Sequence, residues 1–154
     1  MGRFVLAAVA AFLAGTAAQA QINTTDLKWG PAPPGLPAGA QLAVLSGDPT
    51  KEGMFTIRLK FPAGYQVMPH WHPSDELVTV IEGQVSAGMG DAFDRAKAAR
   101  LAQHGYILMP ARMNHYAFTD GGATIQITSH GPFQITYVNP AHDPRNAKRP
   151  ERGE

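Results

Sequence analysis

The sequence predicts an all-β fold, a sandwich or barrel of the jelly-roll type, formed by a single domain. The segment MFTIRLKF places apolar side chains at positions 55, 57, 59 and 61 and polar ones at 56, 58 and 60, which is the alternation of a half-buried strand. The 154 residues include 16 glycines and 13 prolines, which supply the turns between short strands. A chain of this length is typical of one domain.

Nine segments have the composition and length of strands: Gln41–Ser46, Met54–Phe61, Gln66–His72, Leu77–Ile81, Gln84–Met89, Tyr106–Met109, His115–Phe118, Ala123–Ser129 and Phe133–Val138. They define a predicted barrel domain over residues 41–138. The segment DAFDRAKAARL, residues 91–101, is the one stretch with helical character, and Asp91 is its candidate cap. We therefore expect a barrel of short strands with one short helical insertion.

The first twenty residues have the pattern of a secretory signal peptide. Arg3 precedes an apolar segment at residues 4–14, and Ala18-Gln19-Ala20 forms a small-x-small cleavage site. The apolar segment is too short to span a bilayer. We expect cleavage after Ala20, a periplasmic or secreted protein, and no membrane association after the signal is removed.

The segments that flank the predicted barrel are poor in strand signals. Residues 21–40 are rich in proline, glycine and alanine, which predicts an extended N-terminal arm, and residues 139–154 predict a loose C-terminal tail. An arm and alternating strands suit pairing between sheet edges of two subunits, so we expect a homodimer.

Charge and cysteine usage exclude several classes of function. The 13 basic and 12 acidic side chains are balanced and form no basic stripe, so nucleic acid is not an expected partner. The chain has no cysteine. Disulfides and thiolate ligands are therefore excluded, and nitrogen and oxygen atoms would have to hold any metal.

The segment PHWHPSDELVTVIEG, residues 69–83, concentrates groups that bind metals. His70 and His72 point to the same side of a strand, because side chains alternate along it. Pro73 ends that strand, and the short turn after it lets Glu76 begin the next strand alongside. Burying two imidazoles and a carboxylate together is costly without a partner, and a divalent metal would be that partner. The alternative is a pair of exposed histidines near a turn.

The spacing of this segment resembles the first motif of the cupin family. Gly64, His70, His72, Glu76 and Gly83 match every fixed position of that motif. A second segment, YILMPARMNHYAFT, is similar to the second cupin motif, in which the histidine after the proline corresponds to position 115. The resemblance covers residues 64–119 and implies a double-stranded β-helix with His70, His72, Glu76 and His115 as metal ligands.

The second motif departs from the family pattern at its turns. His104 stands where the family usually has glycine, with Gly105 displaced by one position. Arg112 also replaces a usual glycine, and Thr119 replaces a usual asparagine. These substitutions bear on the geometry of the turns rather than on His115.

Four protein ligands suit one divalent transition metal, and Fe, Mn, Ni, Co or Zn remain open as its identity. On a six-coordinate metal they leave two positions for a small-molecule substrate or dioxygen, whereas they saturate a tetrahedral zinc. The resemblance implies an exported metal-dependent enzyme, of the dioxygenase type, that acts on a small organic substrate. The alternatives are a non-redox isomerase or lyase, and a cupin that binds a metal or small ligand without catalysis.

Further candidates depend on which faces of the strands are interior. His130 shares strand parity with Gln126, so it is a candidate general base if that face lines the barrel; a histidine at the surface end of a strand is the alternative. Gln66 and Met68 share parity with His70. Tyr106, Phe118 and Tyr137 could line a pocket, with core packing as the alternative. Arg112 could bind a substrate carboxylate at the barrel mouth, with an arginine at a surface turn as the alternative. The predicted substrate pocket comprises Gln66, Met68, Tyr106, Arg112, Phe118, Gln126 and Tyr137.

Overall fold

The computed structural model describes residues 22–146, which form two antiparallel sheets. One sheet has the strand order β1-β2-β3-β10-β5-β8 and the other β11-β4-β9-β6-β7. The strands are β1 Gly30–Pro31, β2 Gln41–Ser46, β3 Gly53–Phe61, β4 Gln66–Trp71, β5 Glu76–Gly83, β6 Val85–Met89, β7 Ala99–Leu101, β8 Tyr106–Met109, β9 His115–Phe118, β10 Ala123–Gly131 and β11 Thr136–Tyr137. The predicted all-β jelly roll is confirmed.

The core lies between the two sheets and is made by alternate residues of the strands. In β3, Phe55, Ile57 and Leu59 are at most 2% exposed, while the polar residues between them face outward. Strand β10 runs antiparallel to β3 over its whole length and presents Ile125 and Ile127 to the same interior. These alternating apolar residues give the barrel a continuous apolar inner surface.

The predicted helix over residues 91–101 is wrong in its extent. Only Arg95–Lys97 forms a single 3₁₀ turn, whose N-cap Asp94 accepts a hydrogen bond from the Ala96 amide, and Ala99–Leu101 is strand β7. The segment pairs with β6 and extends the second sheet, because this sheet-edge pairing overrides its local helical composition. The last predicted strand, Phe133–Val138, is reduced to the two residues of β11.

Both flanking segments are described in part. Within the arm, Gly30–Pro31 pairs with β2, so this arm joins the first sheet. Residues 140–142 and 144–146 form 3₁₀ turns. The predicted signal peptide and residues 147–154 lie outside the described residues. Among residues 22–146, no helix has the length and apolar character needed to cross a membrane.

The turns of the cupin motifs keep a left-handed backbone whether or not glycine occupies them. Gly64 and Gly83 each have φ of +75°. His104 and Arg112, which replace the usual glycines, have φ of 68° and 62°. Non-glycine residues adopt this conformation at a cost of roughly 1–2 kcal/mol, so the fold tolerates strain in order to preserve both turns.

Candidate metal centre

Three histidines converge inside the barrel. His70 lies in β4, His72 follows the end of that strand, and His115 begins β9. His70 and His115 are directly paired across β4 and β9, with ring centroids 4.3 Å apart. Their nitrogen atoms, with one from His72, all lie within 4.8 Å of one another. These three buried imidazoles could bind a metal ion.

Backbone carbonyls orient each imidazole in the same way. The Nδ1 atom of His70 lies 2.7 Å from the Met68 carbonyl oxygen, that of His72 lies 2.6 Å from Gln134, and that of His115 lies 2.9 Å from Met113. A carbonyl only accepts hydrogen bonds, so each Nδ1 carries the proton and each Nε2 keeps a free lone pair. The Nε2 atom of His115 is buried and has no hydrogen-bond partner among the described residues, as expected of a nitrogen prepared to coordinate a metal.

Glu76 brings a carboxylate to the same point. It is the first residue of β5 and is 7% exposed. One of its carboxylate oxygens lies 3.7 Å from the Nε2 atom of His72 and 3.4 Å from that of His115. The turn before it is fixed at Asp75, whose carbonyl accepts a hydrogen bond from the Ser129 hydroxyl at 2.7 Å. The structure thus brings together all four residues that the motifs predict as ligands.

The protonation states at the cluster favour a bound cation. Burial lowers the pKa of His70 to about 3 and also lowers the pKa of His72. Burial opposes ionisation of Glu76, but the adjacent imidazoles outweigh it and lower the pKa of this carboxyl to about 2. With the Nε2 atoms deprotonated and Glu76 ionised, the four side chains would carry one net negative charge, which a metal cation would compensate.

A cavity with a volume of about 90 Å³ opens beside the four groups. One buried water needs on the order of 10–15 Å³, so the cavity can hold a small organic molecule. Among the described residues, its only polar side chains are His70, His72, Glu76 and His115, and the rest of the wall is apolar: Pro33, Gly35, Leu36, Leu42, Leu59, Phe61, Val67, Val78, Val85, Ala87, Leu101, Ile107, Met109, Ala117, Ile125, Ile127, Phe133 and Ile135.

The N-terminal arm closes part of this cavity. Gly35 and Leu36 belong to its wall. The Tyr137 hydroxyl donates a hydrogen bond to the Gly35 carbonyl at 2.9 Å, and the Tyr65 hydroxyl donates one to the Pro37 carbonyl at 2.6 Å. The Tyr137 ring also lies 5.8 Å from the ring of His70. Tyr137 therefore links the arm to the histidine cluster, although it does not line the cavity itself.

The prediction that Gln66 and Met68 face the cavity is wrong. The pairing of β4 with β9 shifts register between Val67 and His70. This irregularity reverses the alternation, so Val67 lines the cavity and Gln66 is exposed. Met68 is half-buried at the edge of the apolar core, outside the cavity wall.

The predicted role of His130 as a general base is also wrong, because its face of β10 is the outer one. His130 is exposed. Gln126 lies on the same outer face, where its side-chain oxygen Oε1 accepts a hydrogen bond from Nε of Arg58 at 3.2 Å. The apolar residues between them, Ile125 and Ile127, are the ones that line the cavity.

Three further pocket predictions fail for separate reasons. Tyr106 points outward from edge strand β8 and is 55% exposed. Arg112 is exposed, with its guanidinium 6.0 Å from the ring of Trp71. Phe118 is buried beneath Arg95, whose guanidinium lies 4.1 Å from its ring centroid. None of the three lines the cavity.

Sequence reasoning missed the residues that shape the cavity next to the ligands. Phe133 stacks on His72 with ring centroids 4.6 Å apart and an angle of 15° between the planes. Ile135, two residues after Phe133, and the arm residue Leu36 also belong to the cavity wall. The segment GPFQI carries an alternating apolar signal, but the arm offers none that would place it over a cavity.

Comparisons with known proteins agree with this architecture. The ChrR cupin-like domain family matches residues 17–134, whereas no curated protein matches the chain. The polyketide cyclase RemF from Streptomyces resistomycificus has a similar structure, with a TM-score of 0.64 and 15% identity over 82% of this chain and 89% of its own.

Two other solved structures share the fold. A protein from Methylibium petroleiphilum PM1, with a proposed acetylacetone dioxygenase activity, has a TM-score of 0.62 and 20% identity over 82% of this chain and 85% of its own. An RmlC-like cupin from Shewanella frigidimarina has a TM-score of 0.57 and 14% identity over 73% and 91% of the two chains. At such identities the likeness shows the fold alone, but the family match spans most of the sequence, and the chain belongs to the ChrR cupin-like family of the cupin superfamily.

Proposed function

We propose that this cupin is an exported, metal-dependent enzyme of the dioxygenase type that acts on a small organic substrate. One observation carries the proposal: three imidazoles and a carboxylate are the only polar side chains, among the described residues, that line an apolar cavity. Such a cluster has no structural use in a core, where burying it is costly. It does suit a metal whose remaining positions face a substrate.

The residues fit a divalent transition metal. His70, His72 and His115 would bind it through Nε2, because their Nδ1 atoms are engaged by backbone carbonyls. Glu76 would be the fourth ligand and would reduce the charge of the site. Such a metal can activate dioxygen when it is redox-active, as Fe, Mn, Ni or Co are, and polarises a carbonyl in any case.

The lining of the cavity supports oxygen chemistry over acid–base chemistry. An isomerase or lyase needs a group that moves a proton, within hydrogen-bond reach of the substrate. His130 lies on the outer surface, and the Tyr137 hydroxyl donates its proton to the Gly35 carbonyl. Apart from the four ligands, no described residue of the cavity wall can accept a proton. The apolar wall instead excludes water from the reacting groups.

The test is a metal assay followed by an oxygen assay. The full chain is expressed with residues 1–20, purified from the periplasm, and its bound metals are measured by mass spectrometry. We expect about one Fe, Mn, Ni or Co per chain, as one site requires, and none in a His70→Ala/His72→Ala control. Oxygen uptake is then followed with a panel of small phenols, enols and diketones.

The outcomes separate the three functions. Oxygen uptake that depends on both substrate and metal supports the proposal. Turnover that continues without oxygen and with zinc would show a non-redox enzyme instead. Tight ligand binding without turnover would show a binding cupin, and protein that takes up no metal even after reconstitution would remove the basis of the proposal.

Export and dimerisation belong to the same proposal. The signal pattern of residues 1–20 supports export, which mass spectrometry of the purified protein tests by finding Gln21 as the first residue.

Strand β8 is a sheet edge that exposes Tyr106 and Leu108 on its outer face, and exposed edges of this kind favour strand pairing between subunits. Sedimentation of the purified protein tests the dimer, and a monomer at micromolar concentration would contradict it.

A further inference from the structure

The cavity wall restricts the charge that a substrate can carry. Within residues 22–146, every lining side chain beyond the four proposed ligands is apolar, and these side chains come from both sheets and from the arm. A charged group buried against such a wall would lose its hydration without gaining a partner, which is strongly unfavourable.

No lysine or arginine side chain of the described part of the chain lines the cavity, so none of them can supply that partner. Arg112 is exposed and lies over Trp71, and Arg58 bonds Gln126 on the outer face of the first sheet. Arg145 is held by Asp143, with a nitrogen–oxygen distance of 2.7 Å. None of these side chains lines the cavity, so a second carboxylate or a phosphate on the substrate would remain unpaired inside it.

The charge of the ligand set indicates the preferred charge of the substrate. Three neutral imidazoles and one carboxylate leave a divalent metal with one net positive charge. A substrate that binds through one anionic and one neutral oxygen would neutralise this charge and fill two coordination positions. The apolar surroundings strengthen this preference, because the energetic cost of an uncompensated charge is larger where the dielectric constant is low.

Building on the proposed function, we infer that the substrate is a small monoanionic chelator with an uncharged apolar body, such as an enolate or a phenolate that bears a neighbouring carbonyl. Dicarboxylates, sugar acids, phosphate esters and keto acids with a carboxylate remote from the metal are disfavoured. The arm contributes to this selection, because Leu36 and the Gly35 backbone form part of the wall.

Two matched ligands test the inference by binding rather than turnover. The protein is loaded with Co(II), its metal content is measured, and the visible absorption of the metal is followed during titration. The first ligand is 5-hydroxy-2-methylpyran-4-one; the second is 5-hydroxy-4-oxopyran-2-carboxylate, which has the same chelating oxygens but replaces the methyl group with a carboxylate. We expect the methyl compound to bind about 10- to 100-fold more tightly.

A variant of the arm reverses the preference. Leu36→Arg places a cation in the wall at a half-buried position and should raise the affinity for the carboxylate compound at least about tenfold. Leu108→Arg, on the outer face of β8 where the side chain is 44% exposed, should leave both affinities unchanged.

The inference about the substrate can be contradicted while the proposed metal site stands. Protein that binds no metal contradicts the proposed function itself. Protein that binds metal, but binds both ligands equally, prefers the carboxylate or binds neither, overturns the inference about the substrate while leaving the metal site intact.

Discussion

Strands β4 and β10 each contain a histidine, but the side chains alternate regularly between the inner and outer faces of the barrel only in β10. Strand β10 pairs with β3 without interruption over residues 123–131, so Gln126 and His130 share one face, and that face is outside. Strand β4 shifts register between Val67 and His70, so its outer residue Gln66 and its inner residue His70 have the same parity in sequence. An irregularity next to the ligands therefore decides which side chains reach the metal site.

The difference teaches where strand parity can be trusted. In β10 the apolar residues fix the inner face unambiguously, and the polar residues between them must lie outside. In β4 the apolar Val67 and the polar His70 both face inward although one position is odd and the other even. The pattern of apolar and polar residues therefore does not identify the inner face of this strand. The sequence could not reveal that one extra residue is accommodated between them.

The largest difference between the two strands should appear in metal binding. His115→Ala removes a proposed ligand opposite β4, whereas His130→Ala removes an exposed histidine of β10. Loss of residues that merely orient a ligand costs about 10- to 100-fold in metal affinity, so loss of the ligand should cost at least about 100-fold. Metal titration monitored by calorimetry measures both variants.

The control for this experiment is a check that both variants keep the fold. Circular dichroism of both variants should match that of the unchanged protein. Equal weakening by His130→Ala would mean that the outer face of β10 contributes to the site, and the assignment of its two faces would then be wrong.

The next effect concerns stability within β10. Ile127 is 1% exposed in the core, so Ile127→Ala should lower the free energy of unfolding by about 2–5 kcal/mol. The neighbouring change Gln126→Ala removes one outward hydrogen bond to Arg58 and should cost at most about 1 kcal/mol. Urea unfolding measures the two variants side by side, and similar losses would contradict the alternation of β10.

The fold was more predictable than the pocket. Eight of the nine predicted strands recur with small shifts in their ends, because alternating apolar residues and turn glycines determine them locally. The four proposed ligands were predictable because they follow a fixed spacing within one motif and a second motif downstream.

The rest depends on long-range packing. The segment Arg95–Leu101 has helix-forming residues but becomes a 3₁₀ turn and strand β7, since it completes a sheet edge. Leu36 reaches the cavity because the Tyr137 and Tyr65 hydroxyls hold the arm in place. Neither outcome has a local signal, because each is decided by partners far away in sequence.

The stability of the metal-free protein should depend on pH through His70 of β4. The pKa of His70 falls from its ordinary value of 6.5 to about 3 on folding, because burial disfavours the charged form. Between these two pH values the unfolded chain binds more protons than the folded one, so stability is full above pH 6.5 and falls as the pH decreases. By pH 5 the loss from His70 should be roughly 2 kcal/mol.

Thermal unfolding of the chelator-treated protein between pH 7.5 and 5 measures this loss. In His70→Asn the pH dependence should be smaller, because the titrating group is gone. A His70→Asn variant with the same pH dependence would show that His70 does not hold its neutral form in the fold.

The smallest expected effect lies at β11, the strand that pairs with the irregular β4 at His70. Tyr137→Phe removes the hydroxyl that donates to the Gly35 carbonyl but keeps the ring beside His70. The free energy of unfolding should fall by about 1 kcal/mol, as expected for one neutral hydrogen bond, and proteolysis should cut residues 22–40 faster. Metal affinity should change little, because His70 retains its hydrogen bond to the Met68 carbonyl. A large loss of metal would instead mean that the arm, acting through Tyr137, helps to position His70, and that the irregular strand relies on β11 as well as β9 to present its histidine.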